Sequence, residues 1–499
     1  MTKPTLRDIN AARDRIRGYT YLTPCARSDV LSRLFGCELY LKLENLQVTG
    51  SFKERGALNR ILQLTPEQRA AGVIAASAGN HAQGVAHAAT LNGIASTVVM
   101  PETTPLAKIE STRSYGATVI LHGTGYDDAY TKASELQREN GYTFVHAFDD
   151  PEVIAGQGTI GLELLEQVPD MDLVLVPVGG GGLIGGIALA LSESREGIRI
   201  VGVEAERMPA MRTSVAAGRV TPLRPANSIA DGISVARVGE NTLPLVQGCV
   251  DDIVTVSEDE IARAVVTLLE RKKTLAEGSG AVGLAAMAGG HVADVAGRTV
   301  VIVISGGNID MTILARILER GLEHEGRLAQ LRIIAPDTTK RLAELAAVIA
   351  EHGAGIMEMS QNRSVTEVDV GETEIELRLE TRGKSHVEEI TASLRERGFR
   401  LKEAKPAYRA VPAPRPAPTV PGRYRGRQNP RNASRRASKP DPATPRYAIA
   451  PRVTSHPRWA AGHSPDRARR ARTCLCAPGP FACRHARPRR YPCPACHRS

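Results

Sequence analysis

The chain has 499 residues, 42% hydrophobic and 24% charged, which is room for two or three domains and the balance of an ordinary soluble protein. No apolar run approaches the roughly 20 residues of a membrane span, and Met1–Gly18 is charged throughout (Lys3, Arg7, Asp8, Arg13, Asp14, Arg15, Arg17), so neither a membrane helix nor a secretory signal is expected. The net charge of +10 joins unlike parts: from Ala407 onward 21 Lys and Arg face 2 Asp and Glu, a net +19, which leaves −9 on residues 1–406 and excludes a basic, nucleic-acid-binding body.

From about Leu39 to Leu322 short apolar runs alternate with helical ones, which predicts βα units and largely parallel sheets. Thr65-Pro66-Glu67-Gln68 opens a helix with a cap, a proline and a Gln at the third position. Val73–Ala76, Ala95–Met100 and Ala117–Leu121 read as strands of a small sheet, in a lobe spanning about 73–146 inserted in a larger one. Asp172–Val178, Ile198–Val203 and Thr299–Ile304 read as strands of the larger sheet, and Ser257-Glu258-Asp259-Glu260 is a capping box ahead of Ile261, Val265 and Leu268. After His324 the pattern changes. Strand Leu328–Ala335, helix Thr338–His352, strand Glu374–Glu380, helix Ser385–Gly398 and strand Phe399–Leu401 fit a ferredoxin-like βαββαβ module. Beyond Pro406 the chain is rich in Pro, Arg and Ala without aliphatic clusters, and disorder is expected.

Four segments carry chemistry. In Thr49-Gly50-Ser51-Phe52-Lys53-Glu54-Arg55-Gly56-Ala57 a lysine stands where a helix begins; it is either a solvated helix lysine or an amine whose pKa burial lowers for attack on an aldehyde. Ser77-Ala78-Gly79-Asn80-His81-Ala82-Gln83-Gly84 follows a strand, and its helix-start amides suit a carboxylate, though a plain βα turn explains Asn and Gly equally well. Gly179-Gly180-Gly181-Gly182-Leu183 after a strand makes a cradle of amides for a phosphate. Gly180, Gly182 and Gly185 with Glu204 also satisfy a dinucleotide fingerprint, but that reading leaves the lysine and Asn80 segments without work. Ile304-Ser305-Gly306-Gly307-Asn308 ends another strand, where Ser305 can face a ring nitrogen. A lysine, a phosphate cradle, an oxygen donor and a ring-nitrogen partner together fit the outline of pyridoxal phosphate.

Taken in this order, Ser-Phe-Lys-x-Arg-Gly-Ala, Ser-Ala-Gly-Asn-His-Ala-Gln-Gly, the four-glycine loop with its leucine, and Ser-Gly-Gly-Asn resemble the threonine dehydratases (threonine ammonia-lyases) over about residues 5–325. The resemblance implies an α/β fold of the tryptophan-synthase-β-like type, with two open parallel sheets, and pyridoxal 5'-phosphate held as a Schiff base on Lys53. Phe52 would lie beside the ring and Asn80 would bond its oxygen. Gly179, Gly180, Gly181, Gly182 and Leu183 would hold the phosphate, and Ser305 would face the ring nitrogen. Ser77, Ala78, Gly79, Asn80 and His81 would receive the substrate carboxylate, and Glu277 lies in a family segment beside the site. Related serine racemases have a second serine where this chain has Ala78, which favours elimination over racemisation. They also bind a divalent cation near Glu204, but a further carboxylate position is Ala210 here, so no metal site is expected. The implied activity is deamination of L-threonine to 2-oxobutanoate and ammonia, and of L-serine to pyruvate. The implied setting is cytoplasmic isoleucine biosynthesis by a homo-oligomer, a dimer or tetramer, without a membrane partner.

The division expected is a catalytic domain over 1–325, a module over 326–404 that resembles the ACT regulatory fold, and a disordered tail over 405–499. Family members often carry Asp-x-Pro-Gly in the module's first loop; this chain has Pro336-Asp337-Thr338-Thr339-Lys340. Cys25, Cys37 and Cys249 are scattered as in a reduced cytosolic protein, whereas Cys474, Cys476, Cys483, Cys493 and Cys496 crowd the tail at spacings that match no standard zinc finger. The tail's charge would bind polyanions only non-specifically.

Overall fold

A computed structural model describes residues 3–363 and 368–402, all within one compact unit. The readings of the tail as disordered and as a weak zinc candidate lie outside the described residues.

The strands in chain order are β1 (Cys25–Arg27), β2 (Glu38–Leu43), β3 (Val73–Ala76), β4 (Ser96–Met100), β5 (Thr118–Leu121), β6 (Thr143–Phe144) and β7 (Leu173–Pro177). They continue with β8 (Arg199–Ala205), β9 (Asp252–Val256), β10 (Thr299–Ile304), β11 (Leu328–Pro336), β12 (Gly355–Asn362), β13 (Glu372–Glu380) and β14 (Arg400–Lys402). The large sheet has the order β1-β2-β10-β7-β8-β9 and is parallel except for the antiparallel β1–β2 pair. The small sheet, β5-β4-β3-β6, is parallel throughout. Strands β3, β4, β7 and β10 are almost entirely buried, as expected of a parallel sheet covered on both faces by helices.

Two glycine crossings set how the covering helices meet. Helix Pro151–Gln167 lies against helix Lys53–Leu62, where a Cβ on Gly156 would come within 2.6 Å of Gly56 Cα. It lies equally close to helix Gly182–Ser194, where a Cβ on Gly186 would meet Gly158 N at 2.6 Å. Both expected capping boxes form, on Thr65 with Gln68 and on Ser257 with Glu260.

Leu328–Lys402 folds as β11, helix Thr339–Glu351, β12, β13, helix Lys384–Glu396 and β14, in the antiparallel order β12-β13-β11-β14. Its own core holds Ile333, Leu345, Ile375, Leu377, Ile390 and Leu394. Arg378 pairs with Glu319 and Arg327 with Glu270, tying the module to the helices before it.

Candidate active site

Three of the four predicted segments leave neighbouring strands. Lys53 follows β2, Ser305 follows β10 and the glycine row follows β7, and these three lie side by side in the large sheet. The fourth, Ser77–His81, leaves β3 of the small sheet. All four therefore gather at the carboxyl ends of parallel strands, where open α/β sheets take their ligands.

The lysine segment and the serine segment are knitted together. Ser51 bridges Gly306, Phe52 N donates to Ser305 O at 3.1 Å, and Gly307 N donates to Gly50 O at 3.0 Å. Gly50 has φ +71, and a Cβ there would strike Asn308 Oδ1 at 2.4 Å, so a residue without a side chain is required. Lys53 is the first residue of helix Lys53–Leu62. Its helix is pinned from behind by Arg55, whose guanidinium bonds buried Glu44 at 2.8 Å and Glu163 at 2.5 Å. Lys42 Nζ joins the same cluster at 2.5 Å from Glu163. Burial alone would raise the Glu44 pKa, but Arg55 beside it outweighs that and holds the carboxyl below its usual range.

Lys53 Nζ donates to Ala147 O at 2.8 Å and lies 5.2 Å from the centre of the Phe52 ring. Its amine is brought down to about 8 by burial, with the Glu277 carboxylate working in the opposite direction. Next in sequence to Ala147, the ring of Phe148 lies against Gly180, where a Cβ would come within 2.4 Å of ring carbons. The lysine and the glycine row thus meet through two consecutive residues, Ala147 and Phe148.

The amides of Gly179, Gly180, Gly181, Gly182 and Leu183 find no acceptor among the described residues, and all but Gly179 belong to buried residues. Buried N–H groups are seldom left unpaired, so a row of them at the start of a helix fits a phosphate. Gly181 has φ +96, which turns the row, and Thr242 Oγ1 holds it by donating to Gly180 O at 2.6 Å.

Ser305 is 3% exposed and its hydroxyl has no hydrogen bond among the described residues, so it is open to a ring nitrogen. Asn80 is otherwise engaged. Its Nδ2 donates to Glu277 Oε1 at 2.7 Å, and its Oδ1 accepts from Asn308 Nδ2 at 2.8 Å. Glu277 is buried, and that burial, with Asp231 nearby, pushes its carboxyl up to about 7 against the pull of the Asn80 amide, Lys108 and Lys53. Ser77, Ala78, Gly79 and Asn80 are half-buried at the start of helix Asn80–Leu91, and a Cβ on Gly79 would meet nothing within 4 Å. The amides of Asn80 and His81 have no acceptor among the described residues, which fits a carboxylate. His81 is a structural residue: Nε2 bonds Val145 O at 2.8 Å, and burial, with Lys53 nearby, lowers its pKa to about 3.

Glu204 accepts from Met211 N at 2.7 Å and Arg212 N at 2.9 Å, so its carboxylate caps the helix that begins at Ala210 and is not free for a ribose. Ala147, Phe148 and Thr242 were not evident from sequence, and Asn308 stood in the Ser-Gly-Gly-Asn motif without an assigned role. The first three act through a carbonyl, a ring face and a chain-supporting hydrogen bond, which no motif announces.

Fold and site define a class: the chain belongs to the pyridoxal-phosphate dependent enzymes, whose family profile matches residues 16–306. Within that class it is 48% identical to an L-threonine ammonia-lyase of Thermotoga maritima over 398 residues, 80% of this chain and 99% of that protein. A match of 398 residues ends at residue 398 or later, so the likeness runs on into the second module. Among solved structures, a threonine deaminase from T.th. is 43% identical with a TM-score of 0.58, covering 62% of this chain and 99% of that one. Maize serine racemase is 36% identical with a TM-score of 0.61, covering 65% and 100%. The dinucleotide alternative gives way to this family.

Proposed function

We propose that the chain is a threonine ammonia-lyase that converts L-threonine to 2-oxobutanoate and ammonia and accepts L-serine, giving pyruvate. The observation that carries this is the row of unpaired amides from Gly179 to Leu183 beside Phe148, with Lys53 Nζ on the carbonyl of the preceding residue. Lys53 would hold the cofactor's aldehyde, Gly179–Leu183 its phosphate, Phe52 one side of its ring, and Ser305 its ring nitrogen. Asn80 would reach the ring oxygen with the second hydrogen of its amide nitrogen, the first being bonded to Glu277. Bound there, the cofactor supplies an electron sink for the charge left when a Cα proton is removed.

The chain's own groups do the rest. The Ser77–His81 loop would seat the substrate carboxylate through the amides of Asn80 and His81, since Ser77 N is spent on Val99 O and Gly79 N on Ser77 Oγ. Lys53 Nζ, brought to about 8 by burial, takes the Cα proton near neutral pH. Ser305, a neutral partner, would leave the ring nitrogen unprotonated and so favour loss of the β-hydroxyl over return of the proton; the hydroxyl would leave with one proton as water, and a water would hydrolyse the released imine to keto acid and ammonia. Ala78 offers no hydroxyl on the opposite face, and racemisation lacks its second proton carrier. The separate antiparallel sheet and hydrophobic core of Leu328–Lys402 support a catalytic domain over 1–325 and an ACT-like regulatory module over 326–404. Among the described residues no helix is long and apolar enough to cross a membrane. The reading extends to a cytoplasmic homo-oligomer, a dimer or tetramer, that feeds isoleucine biosynthesis. Lys53→Ala tests the core of it: the visible absorption band and the release of keto acid from threonine should both vanish. Full turnover in that variant ends the proposal.

A further inference from the structure

One buried acid lies outside the chemistry above. Glu54 follows Lys53 directly, its side chain is fully buried, and its Oε2 has no hydrogen-bond partner. Its Oε1 lies 2.5 Å from His87 Nδ1, on the helix that begins at Asn80. The His87 ring packs edge-on against Tyr115 at 5.4 Å, which fixes its plane. Burying a carboxylate is costly unless partners offset it; His87 is the principal one, with Thr49 assisting from its backbone and side chain.

The two helices cross close to the same point. A Cβ on Gly84 would come within 3.1 Å of Glu54 N and 3.2 Å of Lys53 C. Residues 80, 84 and 87 are spaced by four and three, so they share one helix face. Along that face lie Asn80 at the site, Gly84 at the crossing and His87 at the anchor. The crossing acts as a pivot, and the Glu54–His87 contact sets the rotation of helix Asn80–Leu91 about it.

We propose that Glu54 and His87 form a positioning pair: they hold the helix carrying Asn80 and the end of the Ser77–His81 loop in register with the helix carrying Lys53. The proposal rests on the reading of that loop as the seat of the substrate carboxylate. Neither residue touches the substrate, so the pair acts on how well threonine is held rather than on the proton transfer at Lys53.

The test compares Glu54→Leu, His87→Phe and Glu54→Gln in the holoenzyme. His87→Phe keeps the ring contact with Tyr115 and removes the bond, while Glu54→Gln still accepts from His87 Nδ1. We expect KM for threonine to rise about tenfold in Glu54→Leu and His87→Phe, with kcat within about twofold, and KM to return to within about twofold of the original in Glu54→Gln. An unchanged KM in the first two, whatever happens to the melting temperature, overturns the proposal, as does a Glu54→Gln variant as impaired as Glu54→Leu. A crystal structure of His87→Phe decides the positioning without any substrate. The Asn80–Glu277 contact, 2.7 Å in the parent, should open; its retention overturns the proposal. Failure of the parent enzyme to act on threonine would instead tell against the assigned reaction, and the structural arm would still decide this one.

Discussion

Replacing two glycines of the same loop-and-helix start, Gly180 and Gly185, should give opposite results. At Gly180 an added Cβ would sit 2.4 Å from Cγ and Cδ2 of Phe148, far inside contact. Backbone strain plays no part, because φ at Gly180 lies outside the left-handed region. The ring cannot swing aside freely: His146 packs edge-on against it at 4.7 Å, and Ala147 behind it accepts from Lys53 Nζ. Overpacking of this kind costs about 1–3 kcal/mol, so Gly180→Ala should weaken cofactor binding about 5- to 150-fold. At Gly185 the nearest atom to an added Cβ is Leu245 Cδ1 at 3.4 Å, an ordinary contact, and the position is inside helix Gly182–Ser194. There alanine is favoured over glycine by about 0.5–1 kcal/mol, so Gly185→Ala should bind cofactor normally and melt no lower than the parent. A dinucleotide site would also need Gly180 for its tight turn and admits alanine at the third position, so the pair tests the Phe148 contact rather than the choice of cofactor. The assay is titration of stripped protein with pyridoxal phosphate, read from the visible band, alongside a thermal melt. Parental affinity in Gly180→Ala, or its loss in Gly185→Ala, would refute the reasoning.

Arg55→Met should lower stability by about 3–5 kcal/mol in urea unfolding, because it leaves buried Glu44 without the guanidinium bonded to it, while Glu163 keeps Lys42; a change below about 1 kcal/mol would show that the cluster is not holding the Lys53 helix. In the parent, Glu44 is held below its usual 4.5, so its contribution is complete above that pH and is lost as pH falls through the lowered folded value; melting temperatures across the acid range check the sign. Cofactor capture by stripped protein should accelerate as pH rises through about 8, where Lys53 Nζ gives up its proton, and a flat rate there would contradict a buried amine. Ala78→Ser places a hydroxyl at the half-buried loop and should yield detectable D-serine from L-serine by chiral chromatography; its absence would mean that another group sets the balance between elimination and racemisation.

The motifs were legible because their residue types answer physical demands that few others meet: glycines where amides must line up, a lysine at a helix start, a serine just past a buried strand. β3, β4, β7 and β10 were legible because both faces are buried and the runs are continuously apolar. β12 was not, since Gly355–Asn362 is exposed along almost its whole length and needs no apolar alternation. The same holds for β1, three residues long with no buried face. The Asn80 motif is visible in sequence, but its partners, Glu277 and Asn308, lie 197 and 228 positions away, and only the fold brings them together.

Strand order supplies what spacing could not. β2, β10 and β7 are widely separated along the chain and adjacent in the sheet. Neighbouring strands lie about 4.8 Å apart, so the strand leading to Lys53 and the strand leading to the glycine row are about 10 Å apart, with Ser305 emerging between them. On the reading proposed above, a single substituted pyridine with one phosphate arm would fit that interval, with the lysine for its aldehyde, the amides for its phosphate and the serine for its nitrogen. A dinucleotide has two sugars and two phosphates to place, and here Glu204 is already bonded to Met211 N and Arg212 N. The Ser77–His81 loop leaves the other sheet, so on the proposed reading the register between the two lobes would set how the substrate meets the cofactor. The contacts at Gly84 and at His87 hold that register beside the very helix that carries the lysine.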